Sequence, residues 1–206
     1  EYRRQRQMCI RDSPGADRFG GTQRHSAAYR SPDAFTGRRV LVVGGGNSGA
    51  QIAADLLLAG VATTWATRRP PRFMPDDVDG RVLFDRASAR VLGRSEARVG
   101  DLGDIVMVPS VIRARDEAGL HAVPAPTALT PDGVRWDHDA GASHGWPAAS
   151  RAAARVRGAE HPVDDVVWCT GFRADLRHLR GLELTRRPSG APATERALSL
   201  IHIYPP

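Results

Sequence analysis

Gly44, Gly46 and Gly49 are spaced as G-x-G-x-x-G, with Gly45, Asn47 and Ser48 filling the pattern. Each glycine in such a run has its own task. The first permits a tight turn off a strand, the second lets backbone approach a pyrophosphate, and the third lets a helix pack close to that strand. The unpaired N–H groups and positive dipole end of the following helix then face the phosphates, and Asn47 and Ser48 add side-chain donors. The chemistry on offer is dinucleotide binding, and no residue is assigned a catalytic role. About 20 residues past the loop, where an NAD site presents a carboxylate to the ribose, this chain has Arg68 and Arg69 after Thr67. Arginine there matches a 2′-phosphate, so NADPH is the expected nucleotide; the plainer alternative is a solvated arginine pair at a strand end. A nucleophilic Ser48 would need G-x-S-x-G, and the fifth position is Ala50.

The elements that must position this loop read directly from the pattern. Residues 40–43 are an apolar run without alternation, as in a parallel strand covered by helices on both faces. Residues 47–60 place Ile52, Ala53, Leu56, Leu57 and Ala59 on one helical face, with Gly60 as a stop, and residues 61–67 form a second strand. The sequence predicts a weak helix over 78–92, a strand over 104–108, and short antiparallel strands over 120–123 and 133–136. Residues 138–161, with His138, His144 and His161, have little apolar periodicity and read as a loop, an insertion or a frame error, the histidines as loop residues rather than metal ligands. Residues 165–169 are a last strand, ending in Thr170 and Gly171. The fold class is α/β, a Rossmann-like doubly wound domain.

Composition excludes several classes. The 206 residues are 41% hydrophobic and 25% charged, with net charge +6, and every basic residue apart from histidine is arginine. The arginines are scattered, without a basic cluster interleaved with aromatics, so no nucleic-acid partner is expected. No apolar run approaches the roughly 20 residues of a membrane span, so no membrane partner is expected. Cys9 and Cys169 are too few and too far apart for a disulfide framework or a metal knuckle. No metal site and a cytoplasmic location are expected. The segments 1–12 and 198–206 lack periodicity or a stop signal, look like translated read-through, and are set apart from the fold.

Upstream of the loop, Phe19, Gly21, His25 and Tyr29 fit F-x-G-x-x-x-H-x-x-x-Y, and downstream come Trp168, Cys169, Thr170 and Gly171. On these motifs and the glycine loop, residues 13–197 resemble the class B flavoprotein monooxygenases, the group of flavin-containing monooxygenases. The resemblance implies a two-dinucleotide-binding-domain flavoprotein, of which this chain would be an internal fragment. It divides into a linker to the FAD domain over 13–36, an NADPH-binding domain over 37–171 and the start of the return to the FAD domain over 172–197. It further implies the cofactors NADPH and FAD, the latter site incomplete here, with dioxygen and a small-molecule nitrogen or sulfur substrate as partners. His25 would support the active conformation, and Thr170 and Gly171 would pass near cofactor as the chain leaves the domain. The fragment by itself is expected to be inactive. A disulfide- or ferredoxin-reductase type of flavoprotein shares the loop and the Thr-Gly pair, but normally lacks the upstream signature. A non-catalytic nucleotide-binding module is the other alternative.

Overall fold

The computed structural model describes residues 13–78, 80–94, 101–136, 145–150 and 160–171. Expectations placed on 1–12, 172–197 and 198–206, and on His138 and His144, lie outside the described residues. The chain divides into two compact units, the larger carrying every strand among the described residues and the smaller containing the helix Gly80–Val91.

In the larger unit, β1 (Thr22–His25), β2 (Arg39–Val43), β3 (Ala62–Thr67), β4 (Ala122–Pro124) and β8 (Asp165–Trp168) form one sheet in the order β1-β8-β2-β3-β4. All four pairings are parallel. The helix α1 (Asn47–Leu58) links β2 to β3, and Gly60, with φ of +77°, ends the turn after it. A further helix, α3 (Pro109–Glu117), precedes β4, while α2 is the Gly80–Val91 helix of the smaller unit.

Both faces of the sheet are apolar because both are covered. Val40, Val42, Trp65 and Val167 pack with Ala53 and Leu56 of α1 and with Val111 and Ala114 of α3. Leu41, Ala66 and Val166 point the other way, as strand alternation requires, and meet Leu129, Val134 and Trp136. These come from and follow a small antiparallel sheet of β5 (Ala128–Thr130), β6 (Gly133–Arg135) and β7 (His161–Pro162). The second cover is thus a sheet rather than the expected helices, and Trp136 fastens it by donating its indole N–H to the Pro124 carbonyl at 2.8 Å.

Several local expectations are corrected. Residues 104–108 form no strand; only an isolated bridge joins Ile105 to Phe73. The Ile105 N–H turns to the Arg72 carbonyl and the Val106 N–H to Asn47 Oδ1, so no ladder can propagate. Pro109 then opens α3, a helix without a counterpart in the sequence reading. β4 is parallel to β3, not an antiparallel neighbour of β6. The supposed connector before residue 37 supplies β1, the edge strand beside β8. Within 138–161, Trp146 is buried in the main core, and His161 lies in β7 with its ring 6.0 Å from that of Trp136.

Candidate functional site

Neighbours in an open parallel sheet that run on to opposite sides of it leave a crevice beyond their carboxyl ends, where ligands bind. Here that pair is β2 and β8, because the chain passes from β2 toward β3 and β4 on one side while β1 lies on the other. Gly44 leaves the end of β2 and Cys169-Thr170-Gly171 leave the end of β8. His25 ends β1, and Arg68 and Arg69 follow β3. The topology therefore brings all the sequence-assigned positions to one edge of the sheet.

The glycines differ in what surrounds them. Gly44 has φ of +142°, and a Cβ there would overlap the Cys169 carbonyl group, so this position is closed to any side chain. A Cβ at Gly49 would overlap the Gly44 carbonyl oxygen, which holds α1 tight to the loop. A Cβ at Gly46 would meet nothing within 4 Å. Gly46 is the N-cap of α1 and makes no side-chain cap. The first N–H to return into the helix is that of Ala50, to the Gly46 carbonyl at 3.1 Å. Gly45 through Ser48 are exposed. The loop thus presents backbone donors at a helix N-terminus beside open space, a cradle that fits a pyrophosphate. Asn47 is partly committed elsewhere, since its Oδ1 accepts the Val106 N–H at 2.7 Å.

Arg68 and Arg69 are exposed at the end of β3. Their turn is pinned by the Thr67 hydroxyl, which donates to the Arg69 carbonyl at 2.6 Å, and Thr67 Cβ is 3.4 Å from where a Cβ of Gly45 would stand. The arginine turn and the glycine loop are therefore adjacent. Asp104, hydrogen-bonded by Arg72, has its carboxyl held below the usual range by that bond, with the charges of Arg72 and Arg69 adding to it.

Each residue of the upstream signature has a physical role. The Phe19 ring folds over Gly21, where a Cβ would lie 2.5 Å from the ring and overlap the Asp164 carbonyl. His25 Nδ1 accepts the Ala27 N–H at 3.1 Å, which leaves Nε2 as the protonated nitrogen that donates to the Gly171 carbonyl at 3.2 Å. The Tyr29 hydroxyl donates to Asp55 of α1 at 2.5 Å, and burial followed by that bond drives its pKa well above the phenol range. The end of β1 and the segment that leaves β8 are thus tied at His25 and Gly171. Cys169, beside them, is buried, and burial pushes its thiol up to about 12, so at neutral pH it is an inert packing group.

Residues 2–72 match the family model described as flavin-binding monooxygenase-like, a match that takes in part of the segment 1–12. A solved flavin-containing monooxygenase from Stenotrophomonas maltophilia superposes with a TM-score of 0.64 and 40% identity, over 89% of this chain and 44% of that one. Over these residues the chain is similar to the flavin-binding monooxygenase-like family. Among its curated relatives, the indole-3-pyruvate monooxygenase YUCCA1 of Oryza sativa subsp. japonica is 35% identical over 80 residues, 39% of this chain and 20% of that protein. The N-oxide-forming dimethylaniline monooxygenase 2 of Macaca mulatta is 42% identical over 59 residues, 29% of this chain and 11% of that protein. The chain spans less than half the length of each of these proteins. The family and the mixed α/β parallel-sheet fold agree with the reading of the motifs.

The sequence reading missed one group that shapes the site, Trp65, and one that anchors the opposite end of the sheet, Asp165. Trp65, 2% exposed in β3, donates its indole N–H to the Gly44 carbonyl at 2.8 Å; an aromatic in a strand gave only a packing signal. Asp165, fully buried at the start of β8, is paired with Arg38 through Oδ2, and its Oδ1 faces Arg24 at 3.7 Å. The guanidinium of Arg24 lies 5.1 Å from the centre of the Phe35 ring, against which Tyr29 stacks. Two consecutive aspartates before an apolar run were visible as a signal, but their partners lie more than 120 residues away.

Proposed function

We propose that the parallel-sheet unit binds NADPH within a flavin-dependent monooxygenase that places one oxygen atom of dioxygen on a nitrogen or sulfur centre of a small molecule. The observation that carries the nucleotide half is the contrast among the glycines. Gly44 and Gly49 are required by internal packing, whereas Gly46 is bordered by open space at a helix N-terminus, with two exposed arginines at the next strand end. Bound NADPH supplies a hydride, which in this family passes through flavin toward dioxygen.

In this reading the chain's own residues bind and orient. The amides around Gly46 and the start of α1 hold the pyrophosphate, Ser48 adds a donor, and Arg68 and Arg69 meet the 2′-phosphate with charge-assisted hydrogen bonds. His25 keeps the entering and leaving segments in register through Gly171, and the Cys169 carbonyl stands against Gly44 where the chain runs on to Thr170 and Gly171. The name of the macaque relative, N-oxide-forming, supports a nitrogen centre. The name of the rice relative supports a second reading, oxidation of a keto acid.

Calorimetric titration of NADPH and NADH against the chain and against Arg68→Ala and Arg69→Ala tests the assignment. NADPH should bind at least about tenfold more tightly than NADH, and at least one replacement should remove most of that advantage. Equal affinity for both nucleotides in the parent chain would refute the arginine assignment.

A further inference from the structure

The Gly44 carbonyl oxygen is enclosed. Gly49 of α1 stands against it so closely that a methyl group there would overlap it, and the Trp65 indole N–H reaches it at 2.8 Å from β3. Each partner settles the other's requirement, since a buried indole N–H needs an acceptor and an enclosed carbonyl needs a donor. The Trp65 ring is itself held edge-on by Phe73, with centroids 6.2 Å apart.

A consequence follows from peptide geometry. No peptide bond among the described residues is cis, and across a trans peptide the C=O and the next N–H point in opposite directions. With the Gly44 carbonyl drawn inward to Trp65, the Gly45 N–H is turned outward, on the exposed side where Gly46 borders open space. A glycine pair is the most permissive backbone for a peptide flip, so this orientation needs an external hold.

We infer that Trp65 is a positioning residue for nucleotide binding: its indole N–H locks the Gly44–Gly45 peptide so that the Gly45 amide faces the pyrophosphate. The inference rests on the NADPH reading above. It assigns to β3 two separate contributions, a buried one that serves any dinucleotide and an exposed arginine turn that serves only the 2′-phosphate.

The test uses the 206-residue chain and Trp65→Phe, which keeps an aromatic ring and removes the N–H. Affinities for NADPH and NADH should both fall by about tenfold, the loss of one enclosed hydrogen bond. The ratio between them should be unchanged, and 2′-AMP, which carries only the phosphate read by the arginines, should bind within about twofold of the parent. Unchanged NADPH affinity overturns the inference, and so does an equal loss of 2′-AMP affinity, which would mark a general structural defect. Should Trp65→Phe fail to fold, the ¹⁵N-labelled parent decides: the Trp65 indole N–H resonance should be slow to exchange and should shift on adding NADPH, and a resonance that does neither overturns the inference. A parent chain that binds neither nucleotide overturns the NADPH reading itself, and this inference with it.

Discussion

Replacing Gly46 by alanine separates what the loop needs for folding from what it needs for a ligand. Gly46 has φ of −105° and ψ of −174°, which any L-residue adopts, and its added methyl would meet nothing within 4 Å. Alanine is a poorer N-cap than glycine by about 0.5–1 kcal/mol. It also reduces the freedom of the unfolded chain, which returns about 0.4–1 kcal/mol. The two nearly cancel, so stability should change by less than about 0.5 kcal/mol, a Tm shift of about 1–2 °C for a chain of this size. Binding should respond quite differently. A phosphate oxygen seated about 2.9 Å from backbone nitrogen has no room for a methyl group between them, and must retreat. Weakening even one charge-assisted hydrogen bond worth about 1.5–3 kcal/mol lowers NADPH affinity by about thirtyfold. Calorimetric titration alongside thermal unfolding reads both quantities. If Gly46→Ala binds NADPH within about twofold of the parent, the pyrophosphate does not lie over Gly46, and the reasoning from the open cradle fails.

Gly49→Ala should do the reverse in the folded state. Its methyl overlaps the Gly44 carbonyl oxygen, so despite a better helix residue the chain should lose about 1–3 kcal/mol as α1 is pushed off β2, and a Tm equal to the parent's would contradict the observed packing. His25→Ala removes the bonds to Ala27 and Gly171 and should cost about 1–2 kcal/mol; amide exchange at Ala27 no faster than in the parent would argue against the tie. Arg38→Ala leaves the buried Asp165 carboxylate with only the more distant Arg24, so urea unfolding should show a loss of about 3 kcal/mol, and a change below about 1 kcal/mol would rule out the pair as a structural anchor. Asp164 is held below the usual carboxylate range by hydrogen bonds from the Arg39 side chain and backbone. A folded-state value below the unfolded one means its stabilisation is complete above about pH 4 and drains away as pH falls below that. With the Arg39 side chain half exposed, the contribution is about 1 kcal/mol. Stability curves of the parent and Asp164→Asn should therefore converge between about pH 4 and pH 2, and curves that stay parallel there would refute the assignment.

The loop and its helix were legible because everything they need is contiguous. An apolar strand, three spaced glycines, a helical stripe and a second strand occur within one short stretch, and the contacts among them are local in the chain. The run Asp104-Ile105-Val106-Met107-Val108 misled because apolar content alone does not make a strand; its N–H groups find Arg72 and Asn47 instead of a ladder. The helix Pro109–Glu117 has only Val111 and Ala114 buried, too thin a stripe to stand out, although a proline at its first position is a legitimate start signal. The direction of β4 was beyond reach because a short apolar segment carries no information about which neighbour it will pair with.

The residue order by itself carried the resemblance to the flavin monooxygenases and the expectation of a dinucleotide ligand. That expectation rests on the spacing of Gly44, Gly46 and Gly49 and on the arginines after β3, a local pattern that adjacent residues can encode. Only the tertiary structure decided that β1 and β8 lie side by side, that His25 reaches Gly171, and that Trp65 holds Gly44 from beneath. Those contacts depend on the order of strands in the sheet. That order is set by burying both of its faces at once, a condition on the whole unit rather than on any stretch within it.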